Sequence, residues 1–462
     1  MSNDNETKEV GRNGMTTNTE ASSGGIDEST AAHGAVNGRT SPAFRRLVVA
    51  SSLGSAIEHY DFFIYAFTAP VVFDHFFFPK MDSVASMMAV YATFAVGFVA
   101  RPLGGMIFGH FGDKIGRKAV LMMTFLLMGI GSFLIGCLPS YDAIGLGAPI
   151  ALVSLRFLQG FAFGGEYMNA VSLTLENAPS ARRGFFASWV NASGPMGIIA
   201  ASGLIAGLGA LYTREEFVNW VWRVPFLFSF VLVVIGSYIR AHVDESLLFK
   251  DAQAKAKTTR LPIAEVLANW KLATVRGCLA NMVHSTFQYM STVFVLGYAV
   301  KTLGMTQSSV TSGTMIGNIV EMFMVPVIAA YSDRFGRRPF LIAGVVLSMI
   351  WYPIFFELVE TKQALFLIGG FVVSIGFLHA LMFAPEAAYT AELFPTEIRV
   401  SGSSLGKQLG IIFGGGIAPL VGTALMGNTG NFGSVVVYFE VIAALALISV
   451  FFAPENAKRA LQ

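Results

Sequence analysis

Apolar stretches of about 20 residues recur along almost the whole chain, each long enough as a helix to cross a ~30 Å hydrocarbon layer. They fall at about 44–73, 84–109, 119–138, 149–175, 184–211, 222–241, 271–300, 309–331, 339–357, 364–390, 400–426 and 434–453, which makes twelve. One long polar connection separates the sixth from the seventh and carries Lys250, Lys255, Lys257 and Arg260. The pattern predicts an N-terminal tail (1–43), a six-helix bundle (44–241), a central loop (242–270), a second six-helix bundle (271–453) and a short C-terminal tail (454–462). An all-α membrane protein is expected, because a helix satisfies its own backbone groups inside lipid. The first tail is rich in Ser, Thr, Asn and Gly and has no apolar run, so it reads as disordered and not as a signal peptide.

Basic residues orient the spans. Connections after even-numbered spans, with the chain ends, hold Arg45, Arg46, Lys114, Arg117, Lys118, Arg182, Arg183, the central-loop cluster, Arg334, Arg337, Arg338, Arg399, Lys458 and Arg459. Connections after odd-numbered spans up to the ninth hold only Lys80, Arg214, Lys301 and Lys362, with Arg223 just beyond. Both termini are therefore expected in the cytoplasm.

Two stretches 220 positions apart nearly repeat one another: Gly109-His-Phe-Gly-Asp113-Lys114-Ile-Gly116-Arg117-Lys118 and Ala329-Ala-Tyr-Ser-Asp333-Arg334-Phe-Gly336-Arg337-Arg338. A second pair, Glu176-Asn-Ala-Pro179 and Glu392-Leu-Phe-Pro395, lies 216 apart. Repeats at half the length of a hydrophobic chain mark a transporter built from two similar halves.

Composition agrees. Of 462 residues 54% are hydrophobic and 13% charged, about half the charge of a soluble domain. A net charge of +2 gives no reason to expect nucleic acid, and two cysteines make neither a disulfide framework nor a metal site. No Gly-x-x-x-x-Gly-Lys-Ser/Thr loop is present to suggest a nucleotide-driven pump.

The doubled loop signature resembles that of the major facilitator superfamily. Glu58-His59-Tyr60-Asp61-Phe62, Arg101-Pro102-Leu-Gly104-Gly105, Arg156-Phe-Leu-Gln-Gly160-Phe-Ala-Phe-Gly164-Gly165-Glu166 and Glu392-Leu-Phe-Pro395-Thr396, with Gly402, Gly414-Gly415-Gly416 and Pro419, are similar to its metabolite:proton symporter branch. The resemblance spans about 47–454. It implies import of a small organic acid such as shikimate, 2-oxoglutarate or citrate with a proton, across a bacterial inner membrane. Proline or betaine import is the alternative within the branch. A receptor or a membrane enzyme on the same fold is the alternative outside it, but no signalling domain or clustered nucleophile–base set is visible. No catalytic residue, cofactor or metal is expected. The partners are a small organic acid, protons and the bilayer, and the chain is expected to act as a monomer.

Gate contacts are expected at Gly109, Asp113, Gly116, Arg117 and Glu176, and at Asp333, Gly336, Arg337 and Glu392. An Asp there can face a helix N-terminus and an Arg can pair with an acid. Ala329 replaces the first glycine of the second signature, so that half's loop is expected to matter less. An acid at membrane mid-depth costs several kcal/mol unless protonated or paired. Asp61 is the first expectation for the coupling proton, with Glu58, Glu166 and Glu321 beside it. Arg101, Arg156 and Lys407 are cations suited to a carboxylated substrate, joined by Tyr65, Asn169 and Gln288. His284, Asn318, His379 and Gln408 are further polar interruptions in the second half. Pro326, Pro385 and Pro419, with the triple glycine, are expected to break their helices, and the 41 Phe to face lipid for the most part.

Overall fold

The computed structural model describes residues 35–36, 39–40, 42–115, 117–164, 183–241, 262–395 and 398–455, with backbone alone at 35–48, 50–51, 109–121, 183, 187, 239–241, 262–264 and 428. Among the described residues the regular elements are helices apart from one pairing of two-residue strands, Ala35–Val36 with Arg39–Thr40. Six helical runs precede the central loop: α1 (Pro42–Thr68), α2 (Ser83–Ile115), α3 (Arg117–Cys137), α4 (Gly147–Phe163), α5 (Arg183–Leu211) and α6 (Arg223–Ala241). A short helix, Pro262–Asn269, lies within the expected loop and buries Val266. Six more runs follow: α7 (Lys271–Tyr289), α8 (Gln307–Phe335), α9 (Arg338–Glu360), α10 (Ala380–Glu392, entered through Ala364–Phe371), α11 (Arg399–Ile411, continued as Ala418–Thr429) and α12 (Gly433–Phe451). Among the described residues seven helices are individually long and apolar enough to span a bilayer, and Arg214–Val221 with Arg223–Tyr238, bent by 46°, makes an eighth.

Those breaks are not where the prolines predict. Helix α8 runs unbroken through Pro326 and α10 through Pro385. One proline removes a single backbone hydrogen bond, which a helix packed on its neighbours absorbs. Widened π-type turns occur at Ala69–Phe73, Met290–Phe294, Val372–His379 and Ile412–Gly416, and only the last coincides with the glycines preceding Pro419.

The aromatic expectation also needs correcting. Phe62, Phe63, Phe67, Phe73, Phe94, Phe98, Phe287, Phe355 and Phe371 are buried, whereas Phe157, Phe230, Phe323 and Phe451 are exposed. Much of the phenylalanine packs helix on helix, where rings fill volume and set edge-to-face contacts. The two halves meet along α5 and α8 and along α2 and the turn after α11.

Candidate functional site

Helices α2 and α4 bring two cations together against aromatic rings of α1. The Arg101 guanidinium lies 4.1 Å from the ring centre of Phe163, 4.3 Å from Phe98 and 4.7 Å from Phe62. Arg156 stacks 3.8 Å over Tyr65, whose hydroxyl bonds Thr93, and donates Nη1 to Gln159 Oε1 at 2.9 Å. Neither arginine pairs with a carboxylate among the described residues, and Arg101 Nε, Arg156 Nε and Arg156 Nη2 are buried without hydrogen bonds. Both line a small cavity with Gln159, Gly160, Phe62 and Phe163. The cavity has room for roughly one water. Gly160 permits this approach of α4 to α2, since a Cβ there would overlap the Gly97 carbonyl.

The second half closes the site. Tyr289, at the end of α7, packs its ring 5.5 Å from Phe98 and 6.2 Å from Phe62 and lies in electrostatic range of both arginines. Neighbouring Gln288 is buried, and its carbonyl accepts the Thr292 hydroxyl.

Asp61 is buried and does not bridge to Arg101. It takes hydrogen bonds from Ser132 and Ser229, leaving Oδ1 without a partner. Ser132 in turn accepts Gln159 Nε2 at 2.8 Å. A polar path thus runs Asp61–Ser132–Gln159–Arg156 across α1, α3 and α4. Glu58 is buried within electrostatic range of Arg101. Glu166, Asn169, Glu176 and Gly116 lie outside the described residues, as do the side chains of Asp113 and Arg117 and whatever surrounds Gly109.

Lys407, expected as a third substrate cation, bonds Glu386 Oε2 at 2.9 Å, so its charge is already compensated. Glu321 Oε1 lies 2.5 Å from His379 Nδ1.

The repeated signature joins the halves. Asp333 Oδ1 and Oδ2 accept the Gly184 and Phe185 backbone N–H groups, each at 2.9 Å, at the start of α5. Arg337 Nη2 lies 2.7 Å from Asp333 and 3.3 Å from Glu392. Burial opposes the Arg337 charge, but Glu392 and Asp333 outweigh it and hold the guanidinium above its ordinary range. Gly336 turns the chain at φ 101°, a region that favours glycine. At the opposite end Lys301 reaches Asp74 across the halves at 2.6 Å, Gln307 donates to the Phe67 carbonyl at 3.3 Å, and Ser308 to that of Ala206 at 3.0 Å. Contacts among the described residues thus join the halves at both ends, on either side of the arginine site.

The model for the Major Facilitator Superfamily matches residues 51–406 and 277–462. The chain belongs to that superfamily. It is 37% identical over 420 residues to the inner membrane metabolite transport protein YhjE of Escherichia coli K12, covering 90% of this chain and 95% of that one. To the shikimate transporter of the same strain it is 35% identical over 398 residues, covering 85% and 91%. Among solved structures, a D-xylose-proton symporter aligns with TM-score 0.71 over 90% of this chain and 99% of that one at 17% identity, a likeness of fold. The chain is thus a multi-pass membrane transporter and not an enzyme, and twelve spans in two pseudo-symmetric halves follow from the fold.

Sequence reasoning missed Gln159, Ser132, Tyr289 and Glu386. Gln159 had a signal, being three residues from Arg156 and so on its helix face. Glu386 was an intramembrane acid beside Pro385 and deserved the weight given to Glu321.

Proposed function

We propose that the protein imports a small organic anion together with a proton, by rocking of the bundles at 44–241 and 271–453 about the arginine site. One observation carries this: Arg101 and Arg156 are buried, aromatic-walled and without carboxylate partners among the described residues. A guanidinium keeps its charge in any environment, so two of them with no carboxylate in direct contact among the described residues suit an anionic ligand with planar acceptors. The names of the relatives, a shikimate and a metabolite transporter, support the substrate class.

Asp333 on the α5 N-terminus and Arg337 with Glu392 form the cytoplasmic gate, and Asp74 with Lys301 the opposite one. Both chain ends are cytoplasmic, the membrane is a bacterial inner membrane, and the working unit is a monomer. Asp61 carries the coupling proton, and the Ser132–Gln159 path reports to it whether Arg156 holds substrate. A zwitterionic osmolyte fits less well, because the ring faces that would receive its cationic end already hold Arg101 and Arg156.

The test is uptake by proteoliposomes of radiolabelled monocarboxylates and dicarboxylates, proline and betaine, with and without an acid-outside pH step. Accumulation of a carboxylate that the pH step drives is expected. Uptake of betaine or proline alone would refute the substrate class.

A further inference from the structure

The second half contains a buried polar chain that the arginine site does not use. Glu321 of α8, His379 at the entry to α10, and His284 and Asn281 of α7 follow one another, all at most 3% exposed. Glu321 Oε1 is 2.5 Å from His379 Nδ1, His379 Nε2 is 3.4 Å from His284 Nδ1, and His284 Nε2 is 3.4 Å from Asn281 Oδ1. Asn281 is fixed in orientation. The atom 2.8 Å from the Gly277 carbonyl must be its NH2, since a carbonyl only accepts, so its oxygen faces His284. Glu386 Oε2, another acceptor, stands 4.0 Å from the same His284 nitrogen.

Both ends of the two-imidazole chain are therefore acceptors. Three contacts need three hydrogens, and each neutral imidazole brings one. One hydrogen is missing. Without it, two lone pairs face each other in a dry site, a buried repulsion. The electrical count agrees. Lys407 neutralises Glu386, which leaves Glu321 as a buried carboxylate facing an imidazole.

We infer that this chain binds one excess proton in the closed state, making a second proton site, in the C-terminal half and separate from Asp61. The proton rests on the imidazole pair or on Glu321 Oε1; the count is the same. The groups around it are Glu321 and Asn318 from α8, His379 and Glu386 from the tenth run, Asn281 and His284 from α7, and Lys407 from α11. Beyond Lys407, in its electrostatic range, lies His59 of α1. The opposed face thus belongs to the other half, and rocking changes what surrounds the stored proton. Its part in transport rests on the proton-coupled reading; the proton count does not.

The test needs no substrate. Full-length protein labelled with 15N-histidine is placed in lipid nanodiscs at pH 8, where ordinary histidines are neutral. Ring signals are assigned by replacing each histidine in turn, and infrared spectra report protonated carboxyls. One extra proton is expected, as an imidazolium at His284 or His379 or as a carboxyl band. Glu321→Gln should abolish it while leaving the fold intact, because the amide NH2 supplies the third hydrogen. Asp61→Asn should leave it in place even if it stops accumulation. Two neutral imidazoles with no carboxyl band sensitive to Glu321→Gln would overturn the inference, as would loss of the signal in Asp61→Asn.

Discussion

Removing the Asp333 charge should open the end of the molecule where α5 meets α8. Its two oxygens accept two adjacent backbone N–H groups at 2.9 Å, and one of them also touches Arg337 at 2.7 Å. Asparagine keeps one acceptor. Its NH2 group must then face either Phe185 N–H or the Gly184 and Arg337 donors, so one contact becomes a clash of donors. A hydrogen bond to a charged group contributes about 1.5–3 kcal/mol net, and an anion at a helix N-terminus up to about 2 kcal/mol in a partly buried setting. Arg337 keeps Glu392, which softens the loss. A cost of about 3 kcal/mol to the closed state follows, or roughly two powers of ten in its population.

The expectation that this half of the repeat matters less rested on Ala329. That residue is fully buried against Val325, Ala380 and Ala384, so its methyl packs the core and leaves the Asp333 contact in place. Spin labels at the exposed positions Met106 and Phe335, in a background without Cys137 and Cys278, report the separation of the halves at that end. Asp333→Asn should move the distance distribution outward and slow uptake at least tenfold, with normal membrane insertion. An unchanged distribution with uptake within twofold of the parent would refute the reasoning.

Other substitutions separate the remaining roles. Arg156→Lys keeps a charge but loses the planar stack on Tyr65 and the Nη1 bond to Gln159, so the KM for the transported acid should rise about tenfold or more in initial-rate assays. Asp61→Asn mimics a permanently protonated acid: accumulation against a gradient should vanish while counterflow exchange survives, and uphill uptake in response to a pH jump would exclude Asp61 as the coupling site. Asp74→Lys and Lys301→Asp should each impair transport, with partial recovery in the double exchange because the pair crosses the halves; no recovery would show that the contact is incidental.

The twelve runs were legible because length and apolarity alone decide what crosses a bilayer. The sites of helix breaks were not. Proline marks a missing donor, but whether a helix breaks depends on the packing around it, as Pro326 and Pro385 show. Arg101, Arg156 and Tyr65 could be chosen from sequence because a charge in lipid demands an explanation. That neither arginine touches a carboxylate among the described residues could not, since Asp61 and Glu58 stood at plausible spacing for pairing, and only the fold shows Asp61 turned toward Ser132 and Ser229. Lys407 went the other way: its partner Glu386 lies 21 residues away on another helix, a distance that sequence periodicity cannot bridge. Tyr289 joins the site from the opposite half, and no local pattern marks a contact of that range.

Charge gives a reason why anion and proton should travel together. Around the arginine site the described residues bury two guanidiniums, Arg101 and Arg156, and two carboxyls, Glu58 and Asp61, while the third buried acid of that half, Asp74, is taken up by Lys301. With all four ionised the empty site is neutral and can close. An entering anion adds one negative charge, and closing over it would bury that charge at a cost of several kcal/mol. A proton on Asp61 cancels it. In the proposed mechanism, the hydrogen-bonded path from Arg156 through Gln159 and Ser132 would carry occupancy at the guanidinium to the acid. A bound anion that draws Arg156 off Gln159 frees that side chain, loosens Ser132 from the carboxylate and raises the acid's demand for a proton. In the second half Lys407 and Glu386 neutralise one another, so the excess proton on the histidine chain balances Glu321 alone. Closure is then cheap only when each half is separately neutral. Loading with anion alone leaves the first half negative; loading with proton alone leaves it positive. Both partly loaded forms would pay the burial penalty on closing, so in the proposed mechanism neutrality of the closed site would be sufficient to enforce coupling without any direct contact between substrate and proton.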